Sequence, residues 1–374
     1  MDICSRLDVL AAQRPGAVTL RVLGDATVDD LTRGELADAT REAARSVAAD
    51  GDGRRTVVIL PTGNDGDSVA RLLGCLRAGA VPLVIPPRLP PADLLPSLAA
   101  EVGADVRVLL HPRLDVAATV VPGVVGQRTT ATDLPAYYLC TSGTTGTPKL
   151  APQGRHPRHS SQLVPNALLR ATGWVAGQRQ LLSTPFYHAG PLVALLDGLM
   201  DGNLIVTTRT GDGADAVAAV LDEGIMWWQT TPPQMAAALA AVPSVGALRT
   251  LRSLFHGVFP CDHDLKREWI AGLGADRVHE WYGSTEGYGY TFVRGDDWLA
   301  RPGTVGRGLL TRLEILDRED RRVPVGAVGR VHMRRLGLSP GGARTGVRGF
   351  RPVGDLGHLD ADGFLFLHGR DDGR

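Results

Sequence analysis

The run Tyr138-Leu139-Cys140-Thr141-Ser142-Gly143-Thr144-Thr145-Gly146-Thr147-Pro148-Lys149 packs hydroxyls and glycines into one short segment, follows an apolar strand end and finishes on a lysine. Glycines let backbone N–H groups crowd around an anion without Cβ clashes, and the hydroxyls add further donors. Lys149 then contributes a compact positive charge suited to phosphate oxygens. Among 40 basic residues only Lys149 and Lys266 are lysines, so a lysine here is not surface filler. The segment departs from the Walker A pattern, because Pro148 precedes the lysine and no Ser or Thr follows it. The bland alternative is a Gly/Ser/Thr-rich linker, but linkers seldom carry a strand before and a lone lysine after.

Three further segments carry usable chemistry. Tyr282-Gly283-Ser284-Thr285-Glu286-Gly287 follows an expected strand, which puts its side chains at the carboxyl edge of a parallel sheet, where ligands bind. A carboxylate such as Glu286 beside a triphosphate can hold Mg²⁺, and the Tyr282 ring can lie on a base; by itself the segment reads equally well as a turn. Phe186-Tyr187-His188-Ala189-Gly190 follows Pro185 and a strand, although a lone histidine there is more often a satisfied core or surface residue. Gly354-Asp355 and Gly369-Arg370 flank an Asp362-Gly363 turn. An aspartate accepts two hydroxyl hydrogen bonds, which suits the vicinal diol of a ribose, and an arginine completes the clamp. In isolation they are turn aspartates and a surface arginine.

Taken together and in this order, Thr-Ser-Gly-Thr-Thr-Gly-Thr-Pro-Lys149 and Tyr282-Gly-Ser-Thr-Glu286 resemble the signatures of the adenylate-forming superfamily, which holds acyl-CoA ligases, luciferases and peptide-synthetase adenylation domains. The resemblance runs from about residue 30 onward. It implies that Thr141, Ser142, Gly143, Thr144, Thr145, Gly146 and Lys149 cradle the phosphates of ATP. It implies also that Thr285 meets the α-phosphate, Glu286 holds Mg²⁺, Tyr282 stacks on adenine, and Asp355 with Arg370 holds the ribose. Tyr187, His188, Gly257, Val258, Phe259, Gly283 and Ser284 are then expected around the acid, with His188 as a gate. His256-Gly-Val-Phe-Pro260-Cys-Asp262, Lys266-Arg-Glu-Trp269 and Trp298 to Arg307 resemble the fatty-acyl and bile-acid branch of CoA ligases. That branch implies a bulky apolar carboxylic acid, ATP/AMP and coenzyme A. A stand-alone domain that loads a carrier protein is the neighbouring alternative, followed by a variant that holds acyl-AMP and serves mainly thioester formation. A P-loop NTPase is disfavoured by Pro148.

Two departures accompany the resemblance. Residues 371–374 correspond to the family's hinge, so the small C-terminal domain and its adenylation lysine are expected to lie outside these residues, and Lys266 is not expected to replace that lysine. Gly257-Val258-Phe259-Pro260 stands where relatives keep small residues. Added volume is felt in a packed site, so Phe259 is expected to fold back into the core or, failing that, to reshape the acyl pocket.

Bulk properties set the outer limits. With 374 residues the chain can bury a large core, and 44% apolar with 21% charged residues is ordinary for a globular protein. Forty acids balance 40 bases, so no global field favours nucleic acid or an anionic membrane. Cys4, Cys75, Cys140 and Cys261 are scattered, which predicts thiols in a reducing cytoplasm and neither a disulfide framework nor a zinc site. No signal peptide or membrane-spanning run is legible. Scarce lysine with abundant Ala, Gly and Arg points to a GC-rich bacterial genome.

The elements that must position these residues alternate. Val57–Leu60, Val81–Ile85 and Val106–Leu110 read as strands, with helices at Ser68–Ala78 and from Asp93 to about Glu101. Beyond the hydroxyl-rich loop, strands are expected at Gln180–Ser183, Asn203–Thr207, Met226–Gln229, Leu251–Phe255 and Val278–Trp281. Helices are expected at Pro191–Met200, Asp215–Leu221, Pro233–Ala241 and Asp262–Ala271. The fold class is α/β: two helix-covered, largely parallel sheets plus a small antiparallel barrel-like unit. The expected division is 1–85, completed by parts of 150–200; 86–295, with both signature segments; 296–370, the barrel-like unit; and the hinge. Leu336–Gly349 is expected to be a mobile loop.

Overall fold

The computed structural model describes residues 1–24, 27–49, 55–89, 106–110, 135–141, 149–154, 166–209, 212–336 and 349–371. The strands are β1 (Val18–Leu23), β2 (Val28–Thr32), β3 (Arg55–Pro61), β4 (Val81–Ile85), β5 (Val106–Leu110), β6 (Tyr137–Thr141), β7 (Lys149–Gln153), β8 (Arg179–Leu182) and β9 (Leu204–Thr208). They continue as β10 (Trp227–Thr230), β11 (Ser253–His256), β12 (Val278–Gly283), β13 (Tyr290–Arg294), β14 (Thr304–Gly308), β15 (Thr311–Leu316), β16 (Gly329–Arg335), β17 (Arg351–Leu359) and β18 (Leu365–Arg370). Two compact units form, Met1–Val164 with Pro185–Arg209, and Pro165–Thr184 with Thr210–Arg374.

In the first unit the order is β5-β3-β4-β6-β7. β3 is parallel to β4 and β5, β4 is parallel to β6, and β7 returns antiparallel to β6. Every residue of β4 is buried, as expected of a Val/Ile-rich strand covered on both faces. Val57, Ile59, Val81, Leu83, Ile85 and Tyr138 make its core. The helix Gly66–Ala78 starts where the Asp65 side chain accepts from the Ser68 N–H at 2.7 Å, and stops at Gly79 with φ 75°. β4 and β6 sit side by side, so the expected boundary at 85/86 falls inside one sheet.

In the second unit β8 is parallel to β10, β10 to β11 and β11 to β12; β13 then turns antiparallel. Trp227, Trp228, Trp269 and Trp298 are fully buried here. The expected antiparallel barrel-like unit forms as a succession in which β14, β18, β17, β16 and β15 follow β13, without closure among the described strands. The alternation and turn signals of 304–370 specify antiparallel pairing, but they do not specify whether the last strand returns to the first. The helix expected from Asp93 and the loop expected at 337–348 lie outside the described residues.

The sequence reading passed over β1, β2 and the helices Ile3–Gln13 and Arg33–Ala49. β2 is a polar strand, exposed over its first three residues, and such edge strands lack a hydrophobic alternation to detect.

Candidate functional site

In the first unit, β6 and β7 form a hairpin in which Thr141 and Lys149 are register partners. In sequence the hydroxyl-rich segment joins the carboxyl end of β6, a strand held parallel to β4, to the start of β7. Lys149 is exposed at the start of β7. Residues 142–148, including Ser142, Gly143, Thr144, Thr145 and Gly146, lie outside the described residues.

The same unit places His188 as the N-cap of the helix Ala189–Asp201, exposed and with no capping bond from its side chain. Helix N-termini favour anions such as carboxylates. The approach to His188 is fixed by Asn64: its Oδ1 accepts from the Phe186 N–H at 2.9 Å, and its amide donates to Thr207 Oγ1 at 2.9 Å. Tyr187 and His188 stack at an angle, 4.6 Å between centroids.

In the second unit, β12 carries the tyrosine segment to the sheet edge. The Tyr282 ring packs against Ile315, Val331, Met333 and Leu365, while its hydroxyl donates to Asp355 Oδ2 at 2.5 Å. The other Asp355 oxygen accepts from Arg370 Nη1 at 3.0 Å. Asp355 and Arg370 are register partners on β17 and β18. Burial, with the Asp355 carboxylate second, pushes the Tyr282 hydroxyl well above its ordinary pKa, so Tyr282 stays a donor across physiological pH. Three residues far apart in sequence thus meet: an aromatic face, a carboxylate with remaining lone pairs, and a guanidinium that is 63% exposed.

Beyond Tyr282 the backbone tightens. A Cβ at Gly283 would lie 2.7 Å from the Gly289 carbonyl. Gly287 N–H returns to the Ser284 carbonyl at 3.0 Å, leaving Ser284 Oγ buried without a partner among the described residues and Glu286 exposed. An exposed carboxylate at a strand's carboxyl edge fits Mg²⁺, which takes one or two carboxylates and completes its shell with water and phosphate. No group of three or more His, Cys, Asp or Glu side chains placed to hold a metal occurs among the described residues.

The turn after β11 overturns one expectation. Phe259 is 52% exposed and Val258 63% exposed, so Phe259 does not fold into the core. The reason lies beside them: a Cβ at Gly257 would stand 2.6 Å from Trp281 Nε1, so the core side of this turn is already filled by the indole. The chain is forced outward, and Val258 adopts φ 76°, a strained conformation for a β-branched residue.

Lys266 is not near solvent. It forms a buried ion pair with Glu280 of β12, with its ammonium 4.8 Å from the Trp298 ring centre. Glu280 is the register partner of His256, which is fully buried with neither ring nitrogen hydrogen-bonded among the described residues. Burial, then the Lys266 charge, holds His256 well below the usual imidazole range, and burial pushes the Cys261 thiol up to about 12. Trp281 and this polar core were missed from the sequence. The only available signal was the scarcity of lysine.

The model of the AMP-binding enzyme family matches residues 99–341. The chain belongs to that adenylate-forming family. It is 31% identical over 260 residues to the fatty acid–[acyl-carrier-protein] ligase ScoC of Streptomyces coeruleorubidus, covering 64% of this chain and 48% of the relative. It is 28% identical to the sulfoacetate–CoA ligase of Cupriavidus necator, covering 91% of this chain and 73% of the relative. It is 30% identical over 92% of its length to 5% of the non-canonical peptide synthetase CymA of Salinispora arenicola. The chain thus spans about half the length of ScoC and a small fraction of CymA. Its fold matches o-succinylbenzoate CoA synthetase of Bacillus subtilis in complex with its acyl-adenylate, with a TM-score of 0.74, 20% identity, and coverage of 98% of this chain and 78% of that one. It matches the N-terminal domain of FACL13 from Mycobacterium tuberculosis with a TM-score of 0.74, 19% identity, and 99% coverage of both.

Proposed function

We propose that the protein activates a carboxylic acid, bulky and apolar in the favoured reading, as its acyl-adenylate and passes the acyl group to the thiol of coenzyme A. In the first half-reaction a carboxylate oxygen attacks the α-phosphorus of ATP and pyrophosphate leaves. In the second the thiol sulfur attacks the acyl carbon and AMP leaves. The observation that carries this reading is the meeting of Tyr282, Asp355 and Arg370 at the edge of β12, an aromatic face beside a diol acceptor. In this scheme Tyr282 supports adenine and Asp355 accepts from the ribose hydroxyls while Arg370 fixes its carboxylate. Thr285 contacts the α-phosphate, Lys149 and the loop before it hold the phosphates, and His188 orients the acid at its helix terminus. Mg²⁺ on Glu286 would neutralise phosphate charge. The logic is positioning and electrostatic stabilisation, as in other displacements at phosphorus.

A carrier-protein thiol is the second reading, supported by the similarity to an acyl-carrier-protein ligase. Calorimetry with AMP tests the site: Asp355→Ala and Arg370→Ala are each expected to weaken binding at least tenfold, about 1.4 kcal/mol. Unchanged AMP affinity in both folded variants rejects the ribose assignment. Supplying acyl-adenylate with either coenzyme A or a pantetheinylated carrier, and measuring thioester, separates the two acceptors.

A further inference from the structure

His358 and His368 lie on the same β17–β18 pair as Asp355 and Arg370 but take no part in the nucleotide scheme. His358 is the register partner of Phe366, and the two rings stack at 4.9 Å with planes 10° apart. His368 is the extra residue of the register shift, between Leu367 and Gly369, which pair with Gly357 and Leu356, and its ring comes against that of His358. The imidazole centroids are 5.0 Å apart, and His358 Nδ1 stands 2.7 Å from His368 Nε2. Two ring nitrogens at this separation share one proton, one donating and the other accepting.

We propose that this pair is a two-nitrogen chelating site for a borderline transition-metal ion such as Cu²⁺, Ni²⁺ or Zn²⁺. Replacing the shared proton with a metal leaves both nitrogens as donors of their lone pairs. Metal–nitrogen bonds of about 2.0–2.1 Å place two neighbouring ligands roughly 2.9–3.4 Å apart, depending on coordination angle. The nitrogens therefore need to part by only a few tenths of an ångström, and the rings to turn so that both lone pairs converge on the ion instead of lying along the line between them. His368 is exposed and has room to turn, while His358 is held by the Phe366 ring beneath it. Stacking and strand register thus preorganise the chelate, which limits the ordering cost of binding.

No third protein ligand completes the set among the described residues. The remaining coordination positions face water or an added ligand, which makes the site open and moderate in affinity. Imidazole nitrogens favour Cu²⁺, Ni²⁺ and Zn²⁺ over oxygen-seeking Mg²⁺ and Ca²⁺. The site is therefore chemically distinct from the Mg²⁺ role assigned to Glu286. A bound ion would also staple β17 to β18 across the register shift between Leu356 and Gly357.

The test is electron paramagnetic resonance and calorimetry of the whole chain titrated with Cu²⁺ and Ni²⁺. Wild-type protein is expected to give a Cu²⁺ spectrum with two equatorial nitrogens, and His358→Gln and His368→Gln are each expected to weaken Ni²⁺ binding at least tenfold. Binding by histidines elsewhere is common to all three proteins and subtracts out. A one-nitrogen spectrum in the wild type overturns the proposal whatever the variants do. Undiminished Ni²⁺ affinity in either folded variant also overturns it, because a chelate requires both rings.

Discussion

Two cation–carboxylate pairs meet the β12 segment two residues apart in chain position, and they differ in the burial of the cation. Glu280 pairs with Lys266 where both side chains are nearly sealed from solvent, 7% and 1% exposed. Asp355 receives Tyr282 and Arg370 where the guanidinium is 63% exposed. An ion pair taken out of water must be complete, since removing one partner strands the other charge. An ion pair whose cation is exposed is screened on that side, so Asp355, itself only 13% exposed, can exchange the guanidinium for the donors of a ligand. The inner pair holds β12 against the helix His263–Leu273, and the outer one presents chemistry at the end of β12.

The largest expected effect breaks the inner pair. Lys266→Met, which leaves Glu280 buried and unpaired, should lower stability by about 3–5 kcal/mol, whereas Lys266→Met with Glu280→Leu should recover most of it. Chemical denaturation of the three proteins checks this, and a single variant as stable as the wild type would show that the pair is not sealed. Arg370→Ala provides the contrast, with an expected stability change within about 1 kcal/mol.

Acid should act on the interior first. Burial, then the charge of Arg294, lowers His279 to about 4, against about 6.5 in an unfolded chain. Above pH 6.5 neither state takes the proton; between 6.5 and about 4 only the unfolded state does, so stability falls as pH falls. Below about 4 both states carry it and the dependence ends. The expected slope from this residue is about 1.4 kcal/mol per pH unit at most, read as the difference between wild type and His279→Gln in denaturation series across that window. Equal slopes in the two proteins would remove His279 from the interior account.

Smaller effects are expected at the outward turn. Val258→Gly should relieve the positive φ and raise stability by about 1 kcal/mol, partly offset by the greater freedom of glycine when unfolded. Phe259→Ala should change stability by less than about 0.5 kcal/mol, as for other exposed positions. Thermal melts test both. A loss of about 3 kcal/mol at Phe259 would restore the core role that the structure denies it.

The turn also shows where sequence reading stopped. A phenylalanine among small residues is apolar, and its type alone favours burial. Only the position of Trp281, which fills the space over Gly257, turns it outward. The strands β3, β4, β10 and β12 were legible because short Val/Ile- and Trp-rich runs end at Gly, Pro or Asp signals. The antiparallel character of β15, β16 and β18 was legible for the same reason, but not their open succession after β14. β2 escaped because a polar strand carries no period to read.

The sequence by itself determined the family and the chemical inventory: the hydroxyls, glycines and Lys149 of one segment, Tyr282 to Glu286 of another, and Asp355 with Arg370. These are local patterns, and residue type with spacing suffices to state them. The tertiary structure alone decided that Tyr282, Asp355 and Arg370 share hydrogen bonds, that Lys266 belongs to the interior, and that His358 faces His368. Each of those facts depends on strand register or helix packing between residues distant in sequence. One-residue shifts in register exchange the faces of a strand, and no single segment encodes which register its partner will take.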